Sequence, residues 1–142
     1  MQRIFQYVDE AFPRYVEELS ALCACRSVAG DQEGLCQAKQ ILLNKLEALG
    51  FSVKTYGTND LPPVIGARRE KPGKPKLLFY NHYDVVPEGR VDEWQSSPFS
   101  PTIRDGRLWG RGVSDDKGAL MARLQALEAI LKVKGELPVE VA

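Results

Sequence analysis

The chain has 142 residues, 44% of them hydrophobic and 27% charged, which suits one domain built on one core. Nineteen basic residues balance nineteen acidic ones, so no net positive field draws nucleic acid or an anionic membrane, and a small neutral or zwitterionic ligand fits better. No apolar run approaches the roughly 18 residues that span a bilayer, and the polar start at Met1, Gln2 and Arg3 lacks a signal-peptide pattern, so a cytoplasmic location is expected.

Ile4, Val8, Ala11, Val16, Leu19 and Leu22 recur at three- and four-residue steps and predict a helical region from Ile4 to Cys25, kinked or split by Pro13. Cys23, Cys25 and Cys36 are an odd number at a spacing that matches no zinc knuckle or redox pair. They read as small core residues; ligation by Cys23 and Cys25 is the alternative, set against by their pointing to different helix faces. A second helix is predicted from Gln32 to Leu49, capped by Asp31, with Leu35, Ala38, Leu42, Leu46 and Leu49 on one face and Gly50 after its end. Phe51, Val53 and Thr55 alternate with polar neighbours as in a half-buried strand, a turn-rich stretch covers Gly57 to Pro63, and a second strand follows over Val64 to Arg68.

The run Leu77-Leu78-Phe79-Tyr80 is apolar on both faces, as in a central strand covered on both sides. From Pro87 to Gly110 the pattern is that of a long loop ending in a hairpin whose turn is Asp105-Gly106. A third helix is predicted from Ser114 or Asp115, with Leu120, Leu124, Leu127 and Leu131 inward and Gly135 near its end, followed by a strand over Leu137 to Ala142. Strands alternating with helices predict an α/β fold, a mixed sheet flanked by helices, of which these residues encode only part.

Residues two apart on a strand share a face, so His82 and Asp84 should project together where the apolar run ends. A metal-bound imidazole commonly donates its second ring N–H to a carboxylate, and a His-x-Asp pair can provide that arrangement; a lone His is more often a solvated or hydrogen-bonded structural residue. The second cluster, Gly110-Arg111-Gly112-Val113-Ser114-Asp115-Asp116-Lys117-Gly118, combines glycines that allow close backbone approach with oxygens at a helix start. Standing by itself, this stretch reads first as a plain N-cap at Ser114 or Asp115. Trp94, Phe99 and Trp109 read mainly as apolar anchors for the long loop, with substrate contact as the alternative. Arg111 either binds a substrate carboxylate or braces the loop through backbone carbonyls.

Taken together, Asn81-His82-Tyr83-Asp84-Val85-Val86-Pro87, then Trp94, Pro98-Phe99, Asp105-Gly106-Arg107-Leu108-Trp109-Gly110-Arg111-Gly112 and Ser114-Asp115-Asp116-Lys117-Gly118 resemble the co-catalytic zinc peptidases of family M20. That family includes carnosinase-type dipeptidases, acetylornithine deacetylase, succinyl-diaminopimelate desuccinylase and aminoacylase. The resemblance implies a zinc-peptidase-like catalytic domain, incomplete here, with residues 1–142 as its N-terminal portion and the dimerisation domain and C-terminal half absent. It implies two divalent metal ions, most often zinc, with cobalt or manganese as alternatives. His82 would ligate one, Asp84 would orient His82 in a catalytic supporting role, and Asp115 would bridge both, with Asp116 excluded as a ligand and expected to add only helix-start charge. A paired Glu-Glu motif carrying the general base, and further ligands, would lie after Ala142.

The implied activity is hydrolysis of a peptide or N-acyl amino-acid amide bond, nearer the dipeptidases than the deacylases by its Asp-Asp-Lys-Gly form and Trp-containing loop. A full-length relative would be a homodimer. The alternative is a non-catalytic fragment or split-protein segment that needs a complementing piece, suggested by the final strand, whose unpaired edge can recruit another.

Overall fold

The computed structural model describes residues 1–57 and 63–142. The first helix, α1 (Gln2–Ala24), runs through Pro13 without splitting. Pro13 and Asp9, the residue whose carbonyl it leaves without a helical donor, both face solvent, where water can take the donor's place. Tyr15, Leu22 and Cys23 anchor its inner face. In α2 (Gln32–Ala48), Asp31 caps the start, its Oδ1 accepting from the Gly34 N–H at 3.0 Å, and Leu35, Ala38 and Leu42 are buried. Cys23 and Cys25 are buried, as expected, but Cys36 is exposed: one residue past Leu35 it turns about 100° to the solvent side of α2.

Strands β1 (Ser52–Tyr56) and β2 (Val64–Arg68) pair antiparallel from Ser52↔Arg68 to Tyr56↔Val64. The turn expected over Gly57 to Pro63 falls largely on residues 58–62, outside the described residues. Strand β3 (Lys76–Leu77) pairs parallel with the last strand, Glu140–Val141, and a bridge from Arg69 to Val141 joins that strand antiparallel to the end of β2. The connected order is therefore mixed, with Glu140–Val141 between β2 and β3. The expectation of a central strand over Leu77 to Tyr80 is corrected. Hydrogen bonds continue past β3, from Ala142 N to Leu77 O and from Phe79 N to Ala142 O, but Leu78 is 76% and Tyr80 86% exposed. An apolar run reports what a segment can bury; among the described residues nothing covers that face of this one.

A short 3₁₀ turn at Val91–Glu93 leads into the hairpin of β4 (Thr102–Arg104) and β5 (Arg107–Trp109). Its turn residues Asp105 and Gly106 have φ of 51° and 70°, the positive pair that lets a two-residue loop follow the strand twist. Helix α3 (Lys117–Lys134) starts later than Ser114 or Asp115 and ends at Gly135, φ 78°; with it the final strand is β6 (Glu140–Val141).

Helices α1 and α3 pack together, and Leu22, Leu35, Leu42, Phe51, Leu120, Met121, Leu124, Leu127, Leu137 and Val141 form the core. One carboxylate lies within this packing. Glu128 of α3 is 5% exposed and is met by Arg14 of α1, Lys45 of α2 and the Tyr7 hydroxyl at 3.0 Å. Burial pushes its carboxyl up, but the bonds from Arg14 and Lys45, the Lys45 charge and the Tyr7 hydroxyl outweigh it and hold the pKa at about 2. None of the described helices is long and apolar enough to cross a membrane.

Candidate metal centre

Two segments distant in sequence meet where the edge of the sheet faces the start of α3. The first, residues 81–85, is held from beneath by the turn after α1: buried Ser27 donates its hydroxyl to Tyr83 O at 2.7 Å, and Val85 N donates to Ser27 O at 2.9 Å. The second is the turn from Gly112 to Asp116 that leads into α3.

His82 sits between them. Its Nδ1 lies 3.0 Å from the backbone carbonyl of Asp84 and 3.4 Å from the Asp84 carboxylate, and its Nε2 lies 2.9 Å from Asp115 Oδ1. His82 and Asp84 thus stand side by side as expected, but the nearer partner of the ring is the Asp84 carbonyl and not its carboxylate. A carbonyl oxygen can only accept, so in a neutral imidazole the proton belongs on Nδ1. That leaves the Nε2 lone pair aimed at a carboxylate oxygen within hydrogen-bonding distance. Two acceptors so placed need a positive centre between them, either a proton or a cation.

The local field supports this. Burial lowers the His82 pKa, but Asp115, the Asp84 carbonyl and the two carboxylate charges outweigh it and raise it above the ordinary 6.5. Negative potential that favours an imidazolium also favours a metal ion. Imidazole nitrogen with a carboxylate oxygen is a donor pair that zinc accepts, and the Asp115 side chain is 88% exposed, leaving its other oxygen free. Val85, Arg111 and Gly110 complete the wall of a cavity of about 200 Å³ around His82, Asp84 and Asp115. Among the described residues no group of three or more His, Cys, Asp or Glu could hold an ion; the donors brought together are His82 and Asp115.

Three neighbours have roles that local pattern does not disclose. Asp116, expected to add only helix-start charge, makes no side-chain cap to α3. Its Oδ2 accepts instead from Asn81 Nδ2 at 2.7 Å and from the His82 N–H at 3.3 Å, so it ties the two segments together. The Asp115–Asp116 peptide is cis. Lys117, the first residue of α3, is wholly buried and donates to Leu22 O at 2.9 Å and Cys25 O at 2.8 Å. A Lys opening a helix, where its charge opposes the helix dipole, is the one local signal that could have marked this residue as unusual, though not its partners.

Arg111 braces the loop: its Nη2 donates to Glu88 O at 3.2 Å while the guanidinium stacks 5.0 Å from the Trp94 ring, and Trp94 Nε1 donates to the same carbonyl at 2.9 Å. Trp94 is thereby an anchor, and Phe99 lies 5.7 Å from the Arg26 guanidinium. Trp109, on the hairpin, remains 44% exposed.

Residues 78–142 match Peptidase family M20/M25/M40. Succinyl-diaminopimelate desuccinylase of Methylobacillus flagellatus is 42% identical over 118 residues, 83% of this chain and 30% of that protein. The Cys-Gly metallodipeptidase DUG1 of Candida albicans is 32% identical, the match covering 98% of this chain and 32% of that protein. The crystal structure of human carnosine dipeptidase 1 superposes with a TM-score of 0.91 at 30% identity, covering 99% of this chain and 33% of that one. The chain spans about a third of the length of these relatives.

Proposed function

Because this chain belongs to peptidase family M20/M25/M40, we propose that it supplies the N-terminal part of a two-metal centre that hydrolyses peptide or N-acyl amino-acid amide bonds. The observation that carries the reading is the His82 Nε2 lone pair facing Asp115 Oδ1 at 2.9 Å, with Nδ1 already committed to the Asp84 carbonyl. In this reading His82 would hold one metal ion and Asp115 would be shared by two. Two divalent ions, zinc in the first instance, would activate a water and polarise the scissile carbonyl.

The chain's own residues set the stage for that chemistry. The Asp84 carbonyl holds the Nδ1 proton so that Nε2 is free to ligate, and the Asp84 carboxylate adds charge beside the ring. Asp116 and Asn81 hold the Asp115 turn against the His82 backbone. The general base and remaining ligands belong to polypeptide beyond these 142 residues, as does the domain through which we expect a homodimer. The substrate is small, either a dipeptide or an N-acyl amino acid. Cys23, Cys25 and Cys36 are free thiols, which suits a cytoplasmic setting.

The dipeptidase reading rests on similarity along nearly the whole chain to a Cys-Gly metallodipeptidase and to carnosine dipeptidase 1. The 42% identity to a succinyl-diaminopimelate desuccinylase favours a second reading, deacylation of an N-succinyl amino acid. The deciding experiment uses the protein carrying this chain together with the rest of a family-length polypeptide. Metal content is measured for the parent, His82→Ala and Asp115→Ala, and hydrolysis of Cys-Gly is compared with that of an N-succinyl amino acid. His82→Ala should lose at least one ion, and Asp115→Ala both, with all turnover. Two tightly held ions in either variant would overturn the ligand assignment.

A further inference from the structure

Lys117 is 0% exposed, and burial drives its ammonium towards the neutral form. It opens α3, where a cation opposes the helix's own dipole. Its location is explained by a different helix. The last carbonyls of α1 lack helical donors, α1 has no basic residue in its last turn, and Lys117 Nζ donates to Leu22 O and to Cys25 O. The side-chain stem fixes the turn as well. Gly112, at φ 83°, has no room for a Cβ, which would meet Lys117 Cδ at 3.0 Å and Val85 Cγ1 at 2.8 Å. Between this glycine and this lysine lies Asp115.

We infer that Lys117 is a positioning residue: by fastening the Gly112–Asp116 turn to the end of α1 it sets where Asp115 stands relative to His82. The turn has two tethers, Asp116 to the Asn81–His82 segment and Lys117 to α1. Ser27, three residues after Ala24, carries the other side of the site, so both halves of the donor pair are referred to the same helix end. The inference rests on reading Asp115 as a ligand for its functional meaning, but the His82–Asp115 geometry can be tested without metal.

His82 is the only histidine in the sequence, so the metal-free chain gives a single set of imidazole signals in long-range ¹H–¹⁵N spectra. Lys117→Met removes the donors and keeps most of the volume. Leu137→Ala, a core truncation beyond the far end of α3 (about 27 Å at 1.5 Å per residue), is the control for general destabilisation. With the ring in its imidazolium form, the parent and Leu137→Ala should show N–H bonds at both nitrogens, to the Asp84 carbonyl and to Asp115 Oδ1, and Lys117→Met should lose the one at Nε2. An unshifted ring in folded Lys117→Met, or an equal change in Leu137→Ala, would overturn the inference.

If Lys117→Met does not fold, native-state hydrogen exchange on the parent decides. The amides bonded to the turn, His82 N–H to Asp116 Oδ2 and Leu120 N–H to Asp116 O, should open together with those of Leu22 to Cys25. Exchange of those two amides while the end of α1 stays protected would overturn the proposal. Failure of the zinc experiments with these results intact would sink the hydrolase reading and leave the positioning role standing.

Discussion

Replacing Glu128 by Gln tests the packing of the three helices, because it removes one charge while keeping size and hydrogen-bonding capacity. The carboxyl is held at about 2 against an ordinary 4.5; at 1.36 kcal/mol per pKa unit this corresponds to about 3 kcal/mol. Breaking a buried ion pair from one side costs a similar amount. Since the folded-state pKa is the lower one, the contribution is fully present above about pH 4.5 and is lost as the pH falls towards 2. Urea denaturation of the parent chain and Glu128→Gln should differ by about 3 kcal/mol at pH 7, and about 2 kcal/mol of that difference should be gone at pH 3. Comparing two variants at each pH cancels the titration of the other carboxylates. A difference that stays constant from pH 7 to pH 3 would refute the electrostatic account, and no difference at pH 7 would show that Arg14, Lys45 and Tyr7 do not stabilise the ionised form.

The Asp116 tether gives a second test. Asp116→Ala leaves Asn81 Nδ2 and the His82 N–H without their acceptor and should destabilise the chain by about 2 kcal/mol in denaturant titration, more than loss of helix-start charge alone; a change under 0.5 kcal/mol would return Asp116 to that lesser role. Ser27→Ala removes the buried bond to Tyr83 O and should cost about 1 kcal/mol, with amides 83–85 exchanging faster by hydrogen-exchange mass spectrometry; unaltered exchange there would show that Ser27 does not hold the His82 segment. For Asp84→Asn in a family-length protein, zinc affinity should fall about tenfold, the low end for an outer partner of a metal-bound imidazole, because the backbone carbonyl at 3.0 Å survives the change. A loss of a thousandfold in competition titration would make the carboxylate itself a ligand.

What can be read along the chain is what depends on near neighbours. Helix α2 follows from its apolar spacing and the Asp31 cap, the β4–β5 hairpin from Asp105-Gly106, β1 from alternation and β2 from the turn-rich stretch before it, all within a few residues. His82 and Asp115 stand out only as parts of a motif, since nothing local tells a ligand from a strand-end His or an N-cap Asp. The roles of Asn81, Asp116 and Lys117 were not legible. Asp116 serves a segment 34 to 35 residues away and Lys117 a helix end 92 to 95 residues away, and such partners appear only once tertiary packing exists. The same limit explains the misreading of Leu77 to Tyr80: apolarity is intrinsic to the segment, whereas cover depends on what the fold lays over it.

That uncovered segment has a colloidal consequence. Leu77-Leu78-Phe79-Tyr80 is four uncharged apolar residues in a row, with Leu78 and Tyr80 projecting into water, the kind of exposed strand that pairs edge to edge with its own copies. Just upstream stand Lys71, Lys74 and Lys76, and with Lys71 bound to Glu136 and Leu137 O and Lys76 paired with Glu140 at 3.7 Å, Lys74 is left as the charge that keeps such edges apart. With a formal net charge of zero, the remaining surface adds little general repulsion. Solutions of the chain should therefore turn cloudy as salt is raised, because screening reaches that lysine before it weakens the apolar attraction it opposes.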